Sequence, residues 1–217
     1  MSFASTETVQ AAVWKGEFGR EYTDRNTYDP EGLDGLCLKN YGISRRAINQ
    51  AFLQDIPKTA SFLEVGCNAG NQLLFLREMG YSNLSGIELQ PYALAVAQKR
   101  APEASLRLGS ALSLPYEDGA FDVVFTSGVL IHISPDDLPR ALHEIHRCSR
   151  SFIWGLEYFS SEAVEILYRN HSSLLWKMDY ARRYLEQFPD LELVREQRLP
   201  YLQDKNQDTV FLLKKTH

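Results

Sequence analysis

At 217 residues, 44% hydrophobic and 24% charged, the chain has the make-up of an ordinary α/β domain built on one continuous core. Its net charge of −5, with no Lys- or Arg-rich stripe, argues against the basic surface that a nucleic-acid modifier needs to neutralise phosphates; Arg45-Arg46 and Arg182-Arg183 read as solvated helix faces. No apolar run approaches the roughly 20 residues of a membrane span, and the N-terminus lacks the basic-then-apolar pattern of a signal peptide, so a cytoplasmic protein with neither nucleic acid nor membrane as partner is expected.

In chain order, Trp14, Phe18 and Tyr22 recur at four-residue spacing, the mark of one buried helix face. With the accompanying glycines, Arg25 and Asn26, they predict a lid that closes over a ligand and excludes water. Residues 1–54 are read as this helical extension and 58–217 as the core of a single domain. Cys37, Cys67 and Cys148, odd in number and irregularly spaced, predict reduced thiols and no metal site.

From Ser61 onward short apolar runs alternate with amphipathic stretches. Strands are expected at 62–65, 84–89, 105–108, 121–126 and 152–157, and helices at 71–79, 91–100 (with proline in its first turn) and 135–149. Such alternation means crossover connections and a parallel sheet. The tail departs from it: Leu191–Arg198 and Thr209–Lys214 are joined by the polar turn Gln203-Asp204-Lys205-Asn206 and should pair antiparallel as an edge hairpin.

The stretch Glu64-Val-Gly66-Cys67-Asn68-Ala-Gly70 follows a strand and opens a helix. Glycines at 66 and 70 let the backbone turn tightly and approach a ligand, and Asn68 is of a type that tolerates positive φ. Glu88, twenty-two positions after Gly66 and ending the second strand, is placed to accept hydrogen bonds from both hydroxyls of an adenosine ribose. The alternative is a tight turn with no ligand. Dinucleotide sites use Gly-x-Gly-x-x-Gly to admit a pyrophosphate onto a helix N-terminus. Here the spacing is Gly-x-x-x-Gly, and acidic Glu64 stands beside it, which would repel a pyrophosphate but suits the cationic methionine end of S-adenosylmethionine.

These residues, with Gly109-Ser110-Ala111 before Leu114-Pro115 and Phe121-Asp-Val-Val-Phe-Thr126, resemble the successive cofactor motifs of class I S-adenosylmethionine-dependent methyltransferases. Within that class the chain is similar to the pseudaminic acid biosynthesis-associated methylases. The shared elements are Trp14-x-Gly16-x-Phe18-Gly19-x-x-Tyr22-x-x-Arg25-Asn26, Gly128-Val-Leu-Ile-His132-Ile-Ser-Pro135-Asp-Asp-Leu-Pro139, Glu157-Tyr158, and Tyr168-Arg169-x-His171-x-x-Leu-Leu-Trp176-Lys177-x-Asp179. The resemblance implies a Rossmann-like, seven-stranded, mostly parallel sheet with helices on both faces and an antiparallel C-terminal edge hairpin under an N-terminal helical lid. It implies cofactor contacts from Trp14, Tyr22, Cys67, Leu89, Ser127 and Gly128, besides the loop and Glu88, with Ser110 and Ala111 flanking the adenine. Many members carry Asp where Ser110 stands.

Methyl transfer needs an aligned nucleophile and, for a hydroxyl or protonated amine, loss of a proton. His132, just after the fourth strand, is either that base or a packing and positioning residue. Glu157, ending the fifth strand, is either an acceptor for a substrate hydroxyl or half of an ion pair, and His171 joins the catalytic candidates. Tyr158, Tyr168, Arg169, Trp176 and Lys177 form a candidate substrate cap in which Arg169 and Lys177 would pair with a carboxylate. His143 and His146 read as surface histidines. The expected activity is methylation of a hydroxyl or amine on a small, acidic molecule such as a nonulosonic-type sugar, by a monomer or homodimer. The alternatives are another small metabolite and a non-catalytic S-adenosylmethionine-binding regulatory module.

Overall fold

The run Phe62–Val65, apolar but for Glu64, forms β1, an inner strand buried at every position in the sheet of a computed structural model that describes residues 8–216. Around it lie β2 (Leu84–Glu88), β3 (Ser105–Leu108), β4 (Phe121–Ser127), β5 (Ser149–Tyr158), β8 (Leu191–Pro200) and β9 (Gln207–Lys215), in the order β3-β2-β1-β4-β5-β9-β8. The first five are parallel; β9 runs antiparallel to β5 and β8 antiparallel to β9. This is the expected mostly parallel, seven-stranded Rossmann-like architecture with its edge hairpin. β6 (Val164–Glu165) and β7 (Trp176–Lys177) make a separate two-stranded ribbon within the segment read as a cap.

Side-chain alternation along the central strands divides the core into two layers. Leu63, Val65, Val124 and Ile153 face α7 (Leu138–Cys148) and α8 (Tyr180–Gln187) through Leu142, Ile145 and Tyr184. Phe62, Val123, Phe125 and Trp154 face α4 (Arg45–Leu53) and α5 (Asn71–Glu78) through Ile48, Phe52, Leu73 and Leu76. Each such side chain taken wholly out of water contributes about 1.5–3 kcal/mol before ordering costs. α6 (Pro91–Arg100) packs near β2 and β3.

The N-terminal extension divides differently from the expectation of one lid over 1–54, whose first seven residues lie outside those described. α1 (Val9–Lys15) and α2 (Glu17–Arg25) lie over the carboxyl edge of the sheet, and α3 (Pro30–Tyr41) follows with Asp29 as its cap. α4 belongs to the core, because Ile48 and Phe52, four apart, share its buried face. No helix among the described residues is long and apolar enough to cross a membrane.

Candidate functional site: two adjoining chambers at the carboxyl edge

The turn after β1 is built on left-handed backbone. Gly66, Asn68 and Gly70 have φ of 74°, 43° and 75°. A side chain at Gly66 would also strike Val129, its Cβ falling 2.7 Å from Cγ2. Asn68 holds its strained conformation through two bonds: its N–H donates to Glu88 Oε2 at 2.8 Å, and its Oδ1 accepts from Thr23 at 2.8 Å. Glu88 Oε1 accepts from the N–H groups of Leu89 and Gln90 at 2.7 and 2.8 Å. The carboxylate therefore ties the β1 and β2 loops together, with lone pairs left for a ligand.

A chamber of about 290 Å³ opens above this turn. Its walls include Glu64, Gly66, Cys67 and Asn68 from the first loop and Glu88 and Leu89 from the second. Ser110 and Ala111 follow β3, Ser127 and Gly128 end β4, and Trp14 and Tyr22 descend from α1 and α2. Every predicted cofactor residue but Gly70 lines it; Gly70 shapes the turn as the left-handed cap of α5. Burial pushes the Cys67 thiol up, so it packs as a small apolar group.

Three polar groups in this wall lack partners. Glu64 is 4% exposed with Oε2 unbonded, Gln72 is 2% exposed with both amide atoms unbonded, and the Trp14 indole N–H is also free. Burial raises the Glu64 carboxyl well above the carboxylate range, with the nearby Arg45 guanidinium opposing. Such orphans are costly unless a ligand satisfies them. A carboxyl group and an amide that both donates and accepts, in one wall, suit the zwitterionic end of an amino acid. Arg45 itself corrects a sequence expectation: it is 5% exposed, donates to Ser127 Oγ at 2.9 Å, and lines the chamber. Its neighbour Arg46 is solvated, pairing with Glu78 at 2.6 Å, because successive helical residues point about 100° apart.

Hydrogen bonds tie α1, α2 and the turn after them to the core. Gln90 Nε2 donates toward the carbonyls of Lys15 and Gly16, at 2.6 and 2.8 Å, where α1 meets α2. Asn71 Nδ2 donates to the Asn26 carbonyl at 2.7 Å, and Arg100 to that of Tyr28. Gly19 is required because a Cβ there would sit 1.8 Å from the Trp14 carbonyl oxygen. Arg25, by contrast, faces outward and pairs with Glu21.

A second chamber of about 240 Å³ adjoins the first and shares Tyr22, Asn26, Gly128 and His132 with it. His132 Nδ1 lies 2.8 Å from the Leu174 carbonyl, which can only accept. Nδ1 therefore carries the proton, and Nε2 is the ring's acceptor. Burial lowers this imidazole to about 4, against the opposing Leu174 bond, and its ring packs 4.3 Å from that of Trp14. Glu157, fully buried, accepts from the Val129 N–H at 3.1 Å while Oε2 is unpartnered. Burial pushes its carboxyl up to about 7, opposed by hydrogen bonds from Thr126 and the 129–131 backbone. Asp208 on β9 accepts from Tyr41 at 2.5 Å and leaves Oδ1 unpartnered; burial raises it to about 6.

The predicted cap separates into two groups. Tyr158 and Tyr168 line the second chamber. Trp176 is buried in the core, and Lys177 donates to Asn206 with its ammonium 4.8 Å from the Tyr158 ring centre. Arg169 (φ 49°) and Asn170 (φ 66°) form a tight turn closed by the mutual Tyr168–His171 backbone bonds. Arg169 and His171 are exposed and line neither chamber; His171 meets Phe18 edge-on instead. His146 stacks on Phe188 at 4.0 Å and bonds Asp190, on the far side of the sheet from α4.

Residues 63–151 match the family described as "Methyltransferase domain". The chain is 28% identical over 138 residues to norajmaline N-methyltransferase of Rauvolfia serpentina, covering 58% of this chain and 47% of that protein. It is 31% identical over 133 residues to the malonyl-[acyl-carrier protein] O-methyltransferase of Serratia marcescens, covering 61% and 49%. The chain thus spans about half the length of these curated relatives. Among solved structures, the 1,6-didemethyltoxoflavin-N1-methyltransferase of Burkholderia thailandensis, with 1,6-didemethyltoxoflavin and S-adenosylhomocysteine bound, superposes at a TM-score of 0.72 and 20% identity. That match covers 100% of this chain and 93% of the other. A [4+2]-cyclase superposes at 0.63 and 15% identity over 80% and 81% of the two chains. Together these likenesses establish the class I methyltransferase fold, and the cyclase is a reminder that the fold alone does not set the reaction.

Proposed function

We propose that the chain is an S-adenosylmethionine-dependent methyltransferase acting on a hydroxyl or amine of a small polar molecule. The observation that carries this reading is the pairing of two chambers at the carboxyl edge. One is lined by the unpartnered Glu64 and Gln72; the other opens past Gly128 and His132. Ligands in doubly wound sheets bind at this edge. The methyltransferase match over 63–151 supports it further, as do relatives named for both N- and O-methylation.

Glu64 and Gln72 would hold the methionine end of the cofactor, Glu88 the ribose, and Ser110 and Ala111 the adenine. When bound, S-adenosylmethionine supplies a sulfonium methyl whose C–S bond breaks as the bond to the acceptor N or O forms, leaving S-adenosylhomocysteine and one proton from the acceptor. α1 and α2, with Trp14 and Tyr22 on their underside, would shield the junction from water. Glu157 is the better proton acceptor, since a carboxyl near 7 is partly ionised at neutral pH and that ionised form is more basic than a histidine near 4. His132 Nε2 then orients the acceptor by taking a hydrogen bond from it. A nonulosonic-type sugar is one acceptor of this kind through its hydroxyls, although among the described residues neither Arg nor Lys lines the second chamber to meet its carboxylate.

Calorimetric titration tests the reading. S-adenosylhomocysteine should bind far more tightly than NADH, and Glu64→Gln should weaken it at least tenfold. Equal affinity for the two ligands would overturn the assignment.

A further inference from the structure

Resting on that reading, we infer that Arg100, which lines neither chamber, is a positioning residue for the cofactor site. It fixes the peptide between Ala69 and Gly70 and fastens it to the backbone that follows α2. Its guanidinium donates to the Ala69 carbonyl, to Asn71 Oδ1 at 2.8 Å and to the Tyr28 carbonyl. Neither Arg100 nor Ala69 is part of a chamber wall, whereas Tyr28, Asn68 and Asn71 line the first chamber.

The turn itself creates the need for such a hold. Residues 67–70 are closed by the Gly70 N–H, which donates to the Cys67 carbonyl at 2.8 Å. Asn68 and Gly70 both have left-handed φ, and glycine has no Cβ to stop its peptide from rotating into another turn type. Hydrogen bonds must therefore select the arrangement. Glu88 accepts from the Asn68 N–H at 2.8 Å on the chamber side, and Arg100 holds the Ala69 carbonyl from outside. Rotation of the 69–70 peptide would break the bond to Cys67 and loosen the hold of Asn68 on Glu88, the carboxylate proposed to bind the ribose. The lid's exit is fixed in the same way. The Tyr28 N–H donates to Asn71 Oδ1 at 3.1 Å, Asn71 Nδ2 donates to the Asn26 carbonyl at 2.7 Å, and Arg100 takes the Tyr28 carbonyl. Turn and lid exit are thereby joined as one body. This placement runs against local preference. Arg100 ends α6, where a basic side chain ordinarily serves its own helix's last carbonyls, yet it reaches the N-terminal end of α5, whose dipole disfavours a cation. Burial lowers the guanidinium from its ordinary value, with Asp29 opposing. A planar fork of five donors serves two segments at once, whereas a lysine ammonium is a single point.

The test compares Arg100→Met, Arg100→Lys and a control, Lys215→Met, with wild type. Lys215 does a similar task where β5 begins, at the other edge of the sheet, holding the His146 and Ser149 carbonyls at 2.7 and 2.8 Å. Amide exchange is read first by NMR on the ligand-free chain. In Arg100→Met the Tyr28, Asn68 and Gly70 amides should exchange about tenfold or more faster, with the central strands still protected. Calorimetry should then show S-adenosylhomocysteine bound about tenfold more weakly by Arg100→Met, with a smaller loss in Arg100→Lys and affinity within about twofold of wild type in Lys215→Met. Arg100→Lys keeps the charge and the stem, and carries the same comparison should Arg100→Met unfold. Wild-type affinity in the Arg100 variants, an equal loss in Lys215→Met, or exchange that rises across the whole sheet would overturn the inference while leaving methyl transfer intact. Failure of wild type to bind S-adenosylhomocysteine would instead remove the methyltransferase reading, and faster exchange at those three amides would still support the hold of Arg100 on the turn.

Discussion

Replacing Glu157 with Gln separates the residue's structural task from its protonic one. The amide still offers an oxygen to the Val129 N–H, so the backbone after β4 should keep its course. What disappears is a titration. In the folded chain the carboxyl keeps its proton until about pH 7, whereas in the unfolded chain it releases it near the ordinary value of 4.5. Between those values the folded state is the one that binds the proton, so the contribution is full below about pH 4.5 and lost as pH rises through about 7. At 1.36 kcal/mol per pH unit across that window, the loss is about 3 kcal/mol. His132 runs the other way: with its imidazole lowered from 6.5 to about 4, it costs stability as pH falls below about 6.5. Comparison with the variant cancels that term. Urea denaturation at intervals from pH 5 to 8 should show Glu157→Gln gaining on wild type by about 2–3 kcal/mol. Turnover should fall by roughly 10²–10⁴ and lose its rise near pH 7. Parallel stability curves would mean that the carboxyl is ionised in the fold at pH 5, and the proton-acceptor role would fall with it.

Other substitutions probe the remaining walls. Arg45→Met removes the buried cation that opposes the charge of Glu64 and should weaken S-adenosylhomocysteine binding about tenfold or more by calorimetry; unchanged affinity would place Arg45 outside the cofactor site. Gln90→Leu breaks the clamp on the Lys15 and Gly16 carbonyls, so amide exchange should speed up in α1 and α2 while the sheet stays protected; uniform exchange would deny the lid its separate opening. Arg169→Ala, at an exposed turn, should leave the acceptor KM within about twofold. A large rise in KM without a change in kcat would instead restore Arg169 as a carboxylate reader.

The cofactor chamber was legible in the sequence because its parts are local. A strand, a glycine-bearing turn and a helix follow one another within Phe62–Glu78, and the second strand must end beside the first, which brings Glu88 to Asn68. The edge hairpin was equally legible, since nothing helical separates β8 from β9. Arg45, Gln72, Asp208 and Tyr201 were not, because each reaches a chamber wall only when α4, α5 and the hairpin converge on the carboxyl edge. Gln72 did carry a signal: a polar residue between Asn71 and Leu73 on a helix whose neighbours are core. The cap misled in the other direction. Arg169 and Lys177 looked like carboxylate partners from charge alone, but a positive-φ turn exposes the first and Asn206 engages the second.

The most direct measurement is transfer itself. The chain would be incubated with S-adenosylmethionine bearing a deuterated methyl group and a pool of small polar amines, matched alcohols and acids, with products read by mass spectrometry. One labelled methyl should appear on the nitrogen or hydroxyl oxygen of a member of the pool, with an equal amount of S-adenosylhomocysteine released and little of either from Glu157→Gln. Tight S-adenosylhomocysteine binding with no labelled product from any member of the pool would contradict catalysis and mark the chain as a module that senses the cofactor.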